Sequence, residues 1–308
     1  MDYESFHKQR LLRHARTCAA ALRESELVLG VIVGGSVAHG GADRESDLDI
    51  LVVVRQLPEP EVRVAWLSGI MQRDVDATKL PAIEESRLDE FVWPKDDPEQ
   101  WMPPGGGLMY VTQAEVTEWP QRVGEVLTRV MERDDPERTT RIEEHLADLA
   151  HGIILHDPRS LLSRSQQRLS EYPGSARAQL INYHWHRAEI AINEDVQRSV
   201  WRRDFLHAYD RRAEGVRHLV RMLFAMNRRY YRKAKGLERL LGTFPACPPD
   251  AWARLVSGLA EPDHMRGAAM LLGLAGDIID LIEPPEILER REHWRELCNS
   301  WARQYGIG

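Results

Sequence analysis

Asp47 and Asp49, one residue apart, and the turn Gly34-Gly35-Ser36 about a dozen residues before them are the side chains whose types and spacing best suit chemistry in this sequence. On an extended strand side chains alternate, so the two aspartates share one face, about 6–7 Å apart, while Leu48, Ile50 and Val52 face the core. Two carboxylates so placed can share a divalent cation. Mg²⁺ takes hard oxygen ligands and joins one or two carboxylates to the phosphates of a substrate. Two glycines at the end of a buried strand let the backbone turn sharply and approach a phosphate, and Ser36 adds a hydroxyl donor. Either half alone is commonplace, an ordinary strand-to-helix turn or an ordinary acidic strand start. Together, in this order and between apolar strands, they describe half of a nucleotide and metal site.

The segment GGSVAHGGADRESDLDILVVV resembles the signature of the polymerase-β-like nucleotidyltransferase superfamily. Its nearest likeness is the small-molecule branch, which includes antibiotic nucleotidyltransferases and the minimal nucleotidyltransferases. The resemblance implies that Gly35 and Ser36 contact a triphosphate and that Asp47 and Asp49 are metal ligands and catalytic. It also implies Mg²⁺ as cofactor and an NTP, ATP by preference, as co-substrate. The reaction implied is transfer of a nucleoside monophosphate to a hydroxyl of a small molecule, an antibiotic-like one among the candidates, with release of pyrophosphate. Protein-directed nucleotidylation, as in toxin–antitoxin pairs, and a non-catalytic nucleotide-binding descendant are the alternatives.

The superfamily usually adds a third acid from a later strand. Asp76 and Glu115 are the candidates here, absence is the third possibility, and either acid is equally at home as a solvated surface residue. In the strand that aligns with the third-acid strand, 108–112, the middle positions Met109, Tyr110 and Val111 carry no carboxylate. Farther on, Val216, Leu219, Val220, Leu223 and Phe224 follow the spacing of one buried helical face, predicting a helix over 213–235. Continuing that stripe in steps of four reaches Asn227, Tyr231 and Lys235. NRRYYRKAKGL resembles the helix that faces the nucleotide in several small-molecule nucleotidyltransferases, which implies a nucleotide-binding role for these three. The plainer alternative is a bundle helix ending at Gly236, its basic residues complementing the dipole. Arg202, Arg203 and Asp204 could also reach such a site or form a solvated face. His39 lies within the signature turn, whereas the rings of His184 and His186 should diverge on a helix, which disfavours a metal site there.

The elements that must position these residues change character along the chain. Short β-branched runs at 27–33 and 47–54, with helices at 5–25 and 59–72 and a strand at 108–112, predict an α/β domain over 1–118, which the resemblance implies is a nucleotidyltransferase domain with a mixed sheet. The Pro-, Gly- and acid-rich stretch 93–107 reads as a long loop or lid containing Trp93 and Trp101. After that, helical periodicity broken near 134–136, 156–158, 172–174, 236 and 247–249 predicts an α-helical bundle over 119–308, which the resemblance implies closes the nucleotide cleft.

At 308 residues, two domains are comfortable without disulfides, and Cys18, Cys247 and Cys298 lack any CxxC spacing. A formal net charge of −7 argues against general nucleic-acid binding through phosphate neutralisation. The charged N-terminus lacks a signal-peptide core, and no apolar run reaches membrane-span length. The expectation is a cytoplasmic protein whose partners are a nucleotide and a small acceptor, with no membrane association and an oligomeric state left open.

Overall fold

The β-branched runs read from the sequence form β1 (Val28–Val33) and β2 (Leu48–Val54), the centre of a five-stranded sheet ordered β3-β4-β2-β1-β5. The computed structural model describes residues 3–76, 80, 82–83, 87–93, 105–125, 136–232 and 236–307. Within them the chain forms two compact units: residues 1–123 with 140–171, and residues 124–139 with 172–308.

In the first unit, β1 pairs antiparallel with β2 and with β5 (Ile153–His156). β2 runs parallel to β4 (Gly105–Thr112), which in turn pairs antiparallel with β3 (Leu88–Val92). The sheet is therefore mixed. Every residue of β1 is buried, as a central strand covered on both faces requires.

One face carries Val31, Val33, Ile50, Val52 and Leu108. It packs against Leu11, Ala15 and Cys18 of α1 (Tyr3–Leu22) and Trp66, Leu67 and Ile70 of α3 (Pro60–Met71). A five-residue helix, α2 (Gly35–His39), follows β1 directly. On the opposite face lie α4 (Gln113–Gln121) and α6 (Leu161–Leu169), and α5 (Pro136–His151) meets α4 where His145 stacks on Trp119. A Cβ on Gly30 would stand 2.8 Å from Leu162 Cδ1, so α6 rests directly on β1.

A buried polar triad locks β3 and β4 to α3. Arg63 Nε donates to Asp89 Oδ2 at 2.9 Å, Arg63 Nη2 pairs with Oδ1, and Tyr110 Oη donates to Oδ2 at 2.7 Å. The Asp89 hydrogen bond raises the Arg63 pKa, while burial beside that carboxylate pushes the Tyr110 hydroxyl far up.

The second unit is helical. α7 (Gly174–Glu189) continues through a π-helical turn (Ile190–Asp195) into α8 (Val196–Trp201), and α9 (Phe205–Met226) packs back along them. Gly215 on α9 lets Ile192 of the π turn come close, since a Cβ there would collide with it. Then follow α10 (Leu237–Leu241), α11 (Ala251–Ala260), α12 (His264–Asp280) and α13 (Arg291–Gln304).

Several expectations are corrected. The helix predicted over 213–235 spans Phe205–Met226, and the chain leaves helical geometry at Asn227 and Arg228, whose φ is +54°. Asp76 lies in an exposed loop rather than a strand. β4 begins at Gly105, three residues earlier than predicted, which changes what stands beside the aspartates. The three cysteines are free, and among the described residues no helix is long and apolar enough to cross a membrane.

Candidate functional site

The two halves of the signature are tied by backbone. Gly34 N–H donates to the Asp49 carbonyl at 2.9 Å, carrying the β1–β2 ladder one step into the turn. Gly35 then adopts φ +56°, the left-handed region that favours glycine. A Cβ at Gly35 would collide with Asp49 Oδ2. Glycine is thus required twice over, for conformation and for the approach of the carboxylate. Asp47 and Asp49 are both exposed, while Leu48 and Ile50 between and after them are buried, the alternation expected of a strand end.

The loop delivering Asp47 is held by its own polar groups. Asp43 N–H donates to Ser46 Oγ at 2.9 Å, and Asp43 Oδ1 accepts from Ser46 Oγ at 2.8 Å and from Glu45 N–H at 3.0 Å. Arg10 of α1 reaches across to the Arg44 carbonyl at 3.3 Å. Such short side-chain-to-backbone bonds stiffen a loop that has no ladder of its own.

A second carboxylate meets the turn from α5. Asp148 Oδ1 accepts from Gly35 N–H at 3.0 Å and lies 3.2 Å from His39 Nε2. A Cβ on Gly34 would collide with this carboxylate, so the first glycine makes room for Asp148 as the second does for Asp49. His39 also meets His151 edge to face, with ring centroids 6.0 Å apart.

Neither acid weighed as a third carboxylate joins the aspartates. Glu115 closes a capping box with Thr112 at the start of α4, and its carboxylate pairs with Arg87 at 2.7 and 2.8 Å. Burial would raise its pKa, but the hydrogen bonds from Thr112 and Arg87 outweigh that and lower it. Beside Asp49 on β4 stands Gly107, and Glu90 of β3 occupies the next place in the same row. Residues directly opposite share a face, so exposed Glu90 points the same way as Asp49, two strand spacings away, about 9–10 Å. Among the described residues no group of three His, Cys, Asp or Glu is gathered as a metal cage. Two exposed carboxylates beside a glycine turn nevertheless fit Mg²⁺, which commonly completes its shell with water and substrate phosphate.

The residues farther along have local partners. The Asn227 amide donates to the carbonyls of Leu223 at 2.8 Å and Ala246 at 2.9 Å, and its oxygen accepts from Ala246 N–H at 2.9 Å. Tyr231 is buried against Phe224 with the Arg221 guanidinium 4.6 Å over its ring. Lys235 lies outside the described residues, as does Trp101. Trp93 stacks on His14 of α1, with centroids 4.6 Å apart, and meets Phe91 edge to face. His184 is buried with its Nδ1 3.0 Å from that of His218, while His186 is exposed, so the two rings do diverge. Arg202, Arg203 and Asp204 are exposed at the turn between α8 and α9.

Sequence reasoning missed Asp148 and Glu90. Asp148 sits in IEEHLADLAH, where it looks like any other acid on a polar helix. Its one oddity is position: it falls in the last turn of α5, where the helix dipole disfavours an anion.

Residues 15–94 match the family model described as a nucleotidyltransferase domain. The signature lies inside that match, which supports a nucleotidyltransferase domain of the polymerase-β-like superfamily in this part of the chain. It supports nucleotidyl transfer as the general chemistry and a nucleotide as substrate. Residues 139–236, including Asp148 and α7 to α9, match a domain of unknown function (DUF4037). No curated protein matches the chain. Among solved structures it is similar to a nucleotidyltransferase-like protein from Exiguobacterium sibiricum, at 11% identity over 95% of this chain and 77% of that one, with a TM-score of 0.41.

Proposed function

We propose that the protein moves a nucleoside monophosphate from an NTP, such as ATP, to a hydroxyl of a small molecule, an antibiotic-like sugar being one candidate. The observation carrying this proposal is the backbone-tied pair of half-sites, with Gly35 pressed against Asp49 at the end of β2. Gly35 and Ser36 bind the triphosphate. Asp47 and Asp49 would hold Mg²⁺, which would neutralise charge as pyrophosphate leaves. The acceptor oxygen forms the new bond to the α-phosphorus, the bond from that phosphorus to the pyrophosphate oxygen breaks, and the hydroxyl proton passes to a base or to water.

Incubating the protein with labelled ATP, Mg²⁺ and a panel of hydroxylated acceptors should yield a labelled acceptor and an equivalent of pyrophosphate. Intact ATP with every acceptor, together with no metal-dependent nucleotide binding, would overturn the proposal.

One observation favours a second reading, nucleotide binding without turnover: the place beside Asp49 on the neighbouring strand is Gly107, which brings no carboxylate. Under that reading nucleotide binds, no acceptor is labelled, and Asp49→Ala leaves binding unchanged.

A further inference from the structure

Gly35 N–H and His39 Nε2 converge on one oxygen, Asp148 Oδ1, at 3.0 and 3.2 Å. Two donors meeting on a single anionic oxygen form an anion cradle, and here the anion is the chain's own. The cradle is only partly sheltered: the His39 side chain is 7% exposed and that of Asp148 is 23% exposed. Asp148 belongs to the last turn of α5, where nearby helix carbonyls oppose a negative charge, so these donors offset an unfavourable place for its carboxylate. The missing Cβ of Gly34 gives it the space.

We infer that Asp148 is a stand-in for a nucleotide phosphate. A phosphate oxygen of the bound nucleotide displaces the carboxylate, taking over the Gly35 N–H and the His39 ring, which makes His39 a phosphate contact. The exchange is chemically even-handed: a carboxylate oxygen and a phosphate oxygen both accept charge-assisted hydrogen bonds of this kind. The inference rests on the proposal that this turn binds the triphosphate. It adds that the turn is already occupied by a competing anion, so nucleotide affinity is set partly by how firmly Asp148 holds on.

A clamp and a competitor predict opposite signs. If Asp148 merely braced the turn, its loss would loosen the site and weaken the nucleotide. If it competes, its loss strengthens the nucleotide. Asp148→Asn keeps the shape and removes the charge. In calorimetric titration of the full chain with ATP, and separately with inorganic triphosphate, both with Mg²⁺, this variant should bind roughly tenfold tighter than the parent. His39→Gln should bind roughly tenfold weaker. Thermal melting checks that each variant is folded, and Asp148→Ser replaces the asparagine variant if that one is not. Independently, the His39 ring resonances of the parent should move as triphosphate is added.

Triphosphate binding that Asp148→Asn leaves unchanged or weakens overturns the inference while leaving the proposed function standing. So do His39 resonances that stay fixed through saturation. A parent that binds weakly and an Asp148→Asn variant that binds well would support it most strongly. If neither parent nor variant binds any triphosphate, the proposed function fails and the inference falls with it.

Discussion

Asp89 and Asp148 belong to the same unit and each is paired with a basic side chain, yet their surroundings differ in kind. Asp89 is 1% exposed, and its carboxylate is held by both Arg63 nitrogens and the Tyr110 hydroxyl. Its partners come from α3 and β4, so it joins those two elements to β3. Asp148 has a partly exposed carboxylate, and one backbone N–H and one imidazole are among its partners. A guanidinium fork binds a carboxylate through two parallel bonds and cannot easily let go, whereas an amide and an imidazole pass readily to another anion. The first cluster is closed and architectural. The second is open and can exchange its anion.

The sharpest test of that division lies at the neighbouring aspartate. Asp49→Asn should reduce nucleotidyl transfer by roughly a thousandfold or more, measured as pyrophosphate release, with little change in melting temperature. A variant retaining a tenth of the parental rate would remove Asp49 from the chemistry.

Asp89→Ala should do the reverse. Leaving Arg63 buried without its partner should cost about 3–5 kcal/mol in urea unfolding. The fraction that stays folded should keep parental nucleotide affinity, and loss of affinity in that fraction would break the contrast.

A third cluster, in the second unit, extends the contrast to pH. Burial chiefly lowers the His218 pKa from 6.5 to about 4, and burial likewise holds that of His184 well below its usual value. Both rings stay neutral in the fold while the unfolded chain takes up protons near 6.5. The stability His218 contributes is therefore complete above about pH 6.5 and is lost as pH falls towards 4. Between pH 7 and pH 5, urea unfolding should lose on the order of 2 kcal/mol from His218 alone. His218→Gln should flatten that slope, and an unchanged slope would show that the ring is not a closed, neutral group.

The smallest effect is expected at the capping box. Thr112→Ala should cost about 1 kcal/mol of stability and leave transfer unaltered, since Glu115 serves α4 rather than the signature.

The signature, the two central strands and the helices flanking them could be read from the sequence because each has a local cause: alternation, β-branching, a glycine turn, a proline at a helix start. β3 could not, because LDEFV turns Asp89 inward, and a buried acid makes sense only once Arg63 and Tyr110 are beside it. The end of α9 was hidden for a similar reason. NRRYYRK continues the helical pattern, but the Asn227 amide is engaged by Ala246, nineteen residues away. Asp148 was invisible because nothing near it in sequence separates it from the acids at 143 and 144. Only the return of α5 to the glycine turn does that.

That return has a consequence for how the protein comes into being. β1 is complete at Val33, but the strand that closes its outer edge, β5, ends at His156. At roughly 5–20 residues per second, a ribosome takes on the order of ten seconds to cover that distance. Throughout that interval one of the most apolar strands of the nascent chain offers a bare row of N–H and C=O groups to any other strand it meets. A fragment cut before β5 never gains that strand, so it should pair edge to edge and aggregate more readily than the full chain.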